Sequence, residues 1–130
     1  MVIDSSALVA IALDEPEGLR FQELIVESRT RLMSAVSRLE SAIVVRSRKG
    51  AAALRALGSL LDELQIVVVN FGAADAPVAF DAWSRYGKGN HPASLNLGDC
   101  CTYALCRATG EPVLFKGADF SRTDLQAVRW

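Results

Sequence analysis

The sequence predicts an α/β fold, a three-layer α/β/α sandwich around a central, mostly parallel sheet of five strands. Short Val- and Ile-rich runs alternate with longer segments of helical periodicity, the pattern of βαβ units. Residues Ile66 to Val69 form a continuous apolar run, as expected of a strand covered on both faces. The 130 residues are 51% hydrophobic and 22% charged, which suits a folded chain of single-domain size. No repeat, low-complexity tract or linker divides them, so one domain over 1–130 accounts for the whole chain.

In chain order, Val2-Ile3 begins the first strand, and Ser5 or Ser6 caps a helix running to about Leu13. Asp14-Glu15-Pro16 breaks that helix and starts a second, which carries Leu19, Leu24 and Ile25. Arg31-Leu-Met33 is the second strand, and Ser34 caps the next helix, which stops at Lys49-Gly50. An Ala/Leu-rich helix follows to Leu64, and then comes the Ile66–Val69 strand. A helix from Ala73 to about Tyr86 leads into a loop, Gly87-Lys-Gly-Asn-His-Pro92. The nearly all-apolar helix from Asp99 to Ala108 should be buried, and Gly110 ends it. Val113–Phe115 and Ala127–Trp130 are the fourth and fifth strands.

Composition narrows the chemistry. A net charge of −1 leaves no global basic field, so any nucleic-acid contact must come from local clusters: Arg46, Arg48 and Lys49, then Arg85 and Lys88, then Lys116 and Arg122. For any one cluster, a solvated face is the favoured reading. Cys100, Cys101 and Cys106 are odd in number and lack C-x-x-C spacing, so they read as buried apolar residues in a reducing compartment. Without a basic leader or an apolar run of membrane-spanning length, a soluble, cytoplasmic protein is expected. His91 is the single histidine and sits in a Gly- and Pro-flanked loop with no nucleophile elbow, which argues against a Ser-His-Asp triad. Gly87-Lys-Gly89 fits neither a P-loop nor a dinucleotide fingerprint and reads as a flexible rim loop, with Lys88 available to phosphate. Phe80 and Trp83 read as core.

The informative residues are carboxylates. Asp4 directly follows the first strand, at the carboxyl edge where open α/β sheets bind ligands, although it could simply cap the next helix. Val36, Leu39, Ile43 and Val44 form one helical arc, and Glu40 falls inside it. A carboxylate on a buried stripe needs a salt bridge, a proton or a metal ion. Asp99 opens an apolar helix, where the helix dipole also favours an anion. Asp119 follows the fourth strand, where a turn residue is the alternative. Carboxylates crowded at one sheet edge repel one another, and a divalent cation removes the conflict. Oxygen ligands without His or Cys select Mg²⁺ or Mn²⁺, and such a site suits phosphodiester hydrolysis.

These residues also carry a resemblance. Met1-Val-Ile-Asp-Ser-Ser-Ala-Leu-Val-Ala10, Ser37-Arg-Leu-Glu40, Arg85-Tyr-Gly-Lys-Gly89 through Leu95-Asn-Leu-Gly-Asp-Cys100, and Phe115-Lys-Gly-Ala-Asp-Phe120 resemble, in order, the four motifs of VapC toxins. These are PIN-domain ribonucleases of bacterial type II toxin–antitoxin systems. The resemblance spans the chain and implies a PIN-like fold over 1–130. It implies that Asp4, Glu40, Asp99 and Asp119 ligate Mg²⁺ or Mn²⁺, with Ser6 supporting them through its hydroxyl. It further implies RNA cleavage by metal-activated water, leaving a 5′-phosphate and a 3′-hydroxyl, with Lys88 and Lys116 as candidate substrate contacts. Its implied partners are RNA, a VapB-type antitoxin and a second copy of the chain. Two other classes stay open: a Mg²⁺-binding receiver domain and a catalytically silent PIN-fold binding module. Against the first, the third strand ends in Val69-Asn70 without an acceptor Asp; against the second, acids stand at all four motif positions.

Overall fold

The computed structural model describes residues 1–130. β1 (Val2–Ile3) leads into α1 (Ser5–Ala12) and α2 (Gly18–Glu27). β2 (Leu32–Ser34) leads into the long α3 (Ala35–Glu63), and β3 (Val67–Val69) into α4 (Asp75–Tyr86). α5 (Leu97–Thr109) precedes β4 (Val113–Leu114) and a 3-10 turn over Phe120–Arg122. The strands pair in parallel in the order β3-β2-β1-β4.

Side chains alternate across a strand, and here they divide the interior in two. Ile3, Met33 and Leu114 enter one cluster with Leu8, Phe21 and Leu57 of the α1–α2–α3 layer. Val2 and Val113 enter a second with Ala82, Tyr103 and Phe120 on the α4–α5 side. These are the three layers expected from the sequence. No helix is long and apolar enough to cross a membrane.

The sheet has four strands rather than five. Ala127 makes a single parallel bridge to Val113, because the chain then turns to set the Trp130 ring edge-on against Phe21, centroids 4.7 Å apart. The Ile66–Val69 run is likewise not covered on both faces. β3 lies at the sheet edge, and Val67 and Val68 are exposed. An apolar run reports hydrophobicity, not the number of neighbours that arrive to cover it.

Asp4, rather than Ser5 or Ser6, caps α1 by accepting the Ser6 N–H at 2.9 Å. Ser34 caps α3 as expected. At Gly50 the backbone of α3 leaves helical geometry with φ of 83°, which divides the segment into the two helices read from Lys49-Gly50. The inward face of α3 is Ser37, Ser41, Val45, Leu57 and Leu61. Leu39 and Ile43 of the expected apolar arc are instead 61% and 58% exposed. The small hydroxyl side chains let α3 approach α5 closely, so the helix turns its small face inward and its large apolar face out. Phe80 and Trp83, expected in the core, are also exposed and stack on each other at 6.0 Å. Cys100, Cys101 and Cys106 are buried and unpaired, and burial pushes the Cys106 thiol up to about 12.

A Cβ at Gly50 would meet no neighbouring atom, but the positive φ disfavours any L side chain. Gly50→Ala is therefore expected to lower stability by about 1–2 kcal/mol, measured by urea denaturation, with helix content preserved.

Candidate metal centre

Because every strand runs the same way, all carboxyl ends lie at one edge. The chain passes from β1 to β2 and β3 on one side, then returns to β4 on the other. The strand order thus reverses between β1 and β4, and the crevice at such a point is where α/β sheets hold ligands. Asp4 follows β1, Glu40 lies in the second turn of α3 after β2, and Asp119 lies beyond β4. α5 brings Asp99 to the same place.

Asp4 is 2% exposed and held by three donors. Its Oδ2 accepts the Ser6 N–H at 2.9 Å and the Ser6 hydroxyl at 2.6 Å, and its Oδ1 accepts the Thr102 hydroxyl at 2.8 Å. Ser6 Oγ in turn accepts the Lys116 N–H at 3.0 Å, which ties the end of β1 to the segment after β4. Asp99 is 7% exposed and forms a capping box with Asn96. The Asn96 N–H donates to Asp99 Oδ2 at 2.8 Å, and the Asp99 N–H donates to Asn96 Oδ1 at 3.0 Å. The capping role weighed for both residues in sequence is thus observed: Asp4 is the N-cap of α1, and Asp99 is the third residue of α5, reaching back to the Asn96 N–H. Glu40 lays its Oε2 against the Cα of Gly98, so closely that a Cβ there would collide with the carboxylate. Glu40 makes no salt bridge to an arginine.

Electrostatics binds the four acids together. Burial pushes the Asp99 carboxyl up to about 7, opposed by its Asn96 bond and reinforced by the charges of Asp4, Asp119 and Glu40. Burial also raises Glu40, with the Ser5 hydroxyl opposing and Asp4 adding to the rise. Asp119 is raised by burial and by Asp4, against the pull of Arg122. The acids feel one another, although no three of them converge as a closed ligand set. An oxygen-only donor set that is electrostatically in conflict fits Mg²⁺ or Mn²⁺ rather than zinc.

The basic rim is largely engaged. Lys116 Nζ sits 2.7 Å from Glu15 Oε2 and 3.2 Å from Glu17 Oε2. Arg85 bonds Tyr86, Tyr103 and Asp124, and Arg122 donates to the Pro92 carbonyl. Lys88 is exposed and lines the groove beside Asn96 and Leu97. His91 accepts the Ala93 N–H through Nδ1 and packs edge-on against Tyr86, a role within its own loop.

Residues 1–125 match the PIN domain family. Over 128 residues the chain is 46% identical to Ribonuclease VapC of Mycolicibacterium smegmatis, covering 98% of this chain and 99% of the relative. The chain belongs to the VapC family of PIN domains. Ribonuclease VapC30 of Mycobacterium tuberculosis is 44% identical over the same length, with 98% of each chain covered. The fold is also that of the crystal structure of M. tuberculosis VapC20, a sarcin–ricin-loop-cleaving toxin. The TM-score is 0.81 at 18% identity, over 98% of both chains.

Sequence reasoning brought Asp4, Glu40, Asp99, Asp119 and Ser6 to this edge and missed Asn96, Thr102 and Ser37. Thr102 carried a usable signal, as a hydroxyl inside a helix otherwise read as nearly all apolar. Ser37, which in sequence is only the start of the Ser37-Arg-Leu-Glu40 stretch, carried none.

The raised Asp99 carboxyl predicts a pH dependence. A group with a higher pKa folded than unfolded contributes stability below its unfolded value of 3.8, and loses it as pH rises through about 7. Metal-free parent protein is expected to lose stability relative to Asp99→Asn between pH 4 and 7, on the order of 4 kcal/mol. Paired urea titrations across that range check the difference, and parallel curves would reject it.

Proposed function

We propose that this chain is the toxin of a type II toxin–antitoxin pair, an endoribonuclease hydrolysing RNA phosphodiesters with Mg²⁺ or Mn²⁺. The observation that carries the reading is that Asp4, Glu40, Asp99 and Asp119 all lie at the carboxyl edge of the sheet, where the charges of the other three help raise the Asp99 carboxyl. Kinship with Ribonuclease VapC, 46% identical over nearly full length, supports RNA as the polymer. A single PIN-like domain over 1–130 carries the activity, in the cytoplasm.

In this reading Asp4, Glu40, Asp99 and Asp119 hold the cation, which when bound supplies an activated water and neutralises charge on the phosphate. Burial raises the Asp99 carboxyl to about 7, so as a ligand Asp99 would have to give up its proton. Ser6 holds Asp4 Oδ2 through both its N–H and its hydroxyl. Lys88 meets the RNA backbone from the rim, and Lys116 does so where phosphate displaces Glu15 and Glu17 from its ammonium.

The partners are a VapB-type antitoxin and a second copy of this chain. Val36, Leu39 and Ile43 follow one another at helical spacing along the outer face of α3. Across from Val36, Phe80, Trp83 and Leu97 line a groove of about 520 Å³. Leu39 and Ile43, large apolar side chains exposed on that helix face, suit a homodimer interface. Leu39→Glu combined with Ile43→Glu is expected to shift the protein from dimer to monomer by light scattering.

Antitoxin-free protein is expected to cleave RNA with Mg²⁺ or Mn²⁺ and to stop with EDTA. Asp4→Asn and Asp99→Asn should each lower the cleavage rate by roughly 100-fold or more while the fold persists by circular dichroism. Parental rates in those variants would sink the metal-site reading. Gly98→Ala is expected to fold but to displace the Glu40 carboxylate, losing about tenfold or more in rate.

A further inference from the structure

We propose that Thr102 is a positioning residue for the metal site: its hydroxyl, oriented by Ser37, aims the one lone pair of Asp4 left free to bind a cation. This rests on the reading of Asp4 as a ligand and names what holds that ligand in place.

Thr102 is fully buried in α5, where every side chain from Asp99 to Cys106 is buried. A hydroxyl inside a helix ordinarily donates to the carbonyl four residues earlier. Thr109 does this to Leu105, Ser41 to Ser37 and Ser84 to Phe80. Thr102 instead reaches across the interior to Asp4 Oδ1 at 2.8 Å, a partner 98 positions away in sequence. Its oxygen also lies 3.0 Å from Ser37 Oγ, which is itself fully buried.

Counting protons fixes the direction of the chain. An ionised carboxylate only accepts, so the single Thr102 proton goes to Asp4. The Ser37–Thr102 bond must then carry the Ser37 proton. Ser41 donates to the Ser37 carbonyl and does not compete for that hydroxyl. The relay therefore runs Ser37 to Thr102 to Asp4 and joins α3, α5 and the end of β1.

Counting lone pairs fixes the consequence. Each carboxylate oxygen offers two. On Oδ2 both are taken, by the Ser6 N–H and the Ser6 hydroxyl. On Oδ1 one is taken by Thr102, and one remains. Ser6 grips only Oδ2 and leaves the carboxylate able to rock about that side. Thr102 is the second point of attachment and determines where the free lone pair of Oδ1 points. Groups that orient a metal ligand from behind in this way change metal affinity or activity by about 10–100-fold when lost.

Thr102→Val keeps the shape and removes the hydroxyl, whereas Thr102→Ser keeps the hydroxyl. Mn²⁺ binding to RNA-free protein, followed by electron paramagnetic resonance, reads the ligand site without reference to cleavage. Thr102→Val is expected to weaken Mn²⁺ binding by about tenfold or more, with Thr102→Ser returning to within about threefold of the parent. In RNA cleavage the Mn²⁺ midpoint should move by the same factor, with KM for RNA near parental. Parental Mn²⁺ affinity in a folded Thr102→Val overturns the proposal and leaves the metal-site reading intact. A parent that binds no Mn²⁺ overturns both. Should Thr102→Val fail to fold, Ser37→Ala decides: weakened Mn²⁺ binding supports the relay, and parental binding overturns it.

Discussion

Two carboxylates, Asp4 and Asp99, are buried at one edge of the sheet, and the cost of burying both is the constraint around which this end of the molecule is arranged. Neither has a cationic side chain as a hydrogen-bond partner. Each is stabilised instead by fixed dipoles: Ser6 and Thr102 on Asp4, the Asn96 backbone on Asp99. Dipoles reduce the penalty of burying a negative charge without neutralising it. The cationic side chain nearest in the connectivity, Lys116, is drawn off by Glu15 and Glu17 and contributes its backbone N–H to Ser6. The edge is therefore left with an excess of negative charge, the condition under which a proposed Mg²⁺ or Mn²⁺ gains most from binding.

Small residues make this arrangement possible. Gly98 has no Cβ, so the Glu40 carboxylate can lie against the start of α5. Ser37 and Ser41 on α3 allow that helix to approach α5 closely enough for a hydroxyl bridge. A better-packed apolar contact at these positions would remove both the bridge and the room for Glu40. The two apolar clusters built on Phe21, Leu57, Tyr103 and Phe120 supply the cohesion elsewhere.

The inward turn of small residues on α3 has a consequence on the outside. Leu39 and Ile43 face solvent, Val36 lines a groove with Phe80, Trp83 and Leu97, and β3 leaves Val67 and Val68 uncovered at the opposite end of the strand order from β4. In a chain this apolar, such surfaces suit partners, and the proposed second copy and antitoxin are the occupants the family points to. The site and the proposed dimer face thus share a helix, with Glu40 between the buried serines and the exposed leucine and isoleucine.

Much of this was legible in the sequence, because local pattern reports local physics. Alternating strand and helix periodicity, the breaks at Pro16, Gly50 and Gly110, and acids placed after strands or at helix starts were enough to predict the α/β layering. They also brought Asp4, Glu40, Asp99 and Asp119 to one edge. Periodicity measures which residues share a face and not which face turns inward. The arc containing Glu40 was therefore assigned inward although Leu39 and Ile43 point out, and Phe80 and Trp83 were assigned to a core they do not enter. Strand count failed for a related reason, since Ala127 bridges once before Trp130 is drawn to Phe21. By itself the sequence determined that a parallel sheet would gather carboxylates at its edge, since that follows from chain direction and residue type. Only the tertiary structure decided that Thr102 and Ser37 orient Asp4. Hydrogen bonds between residues 98 and 65 positions apart depend on how closely helices pack, a distance no local pattern encodes.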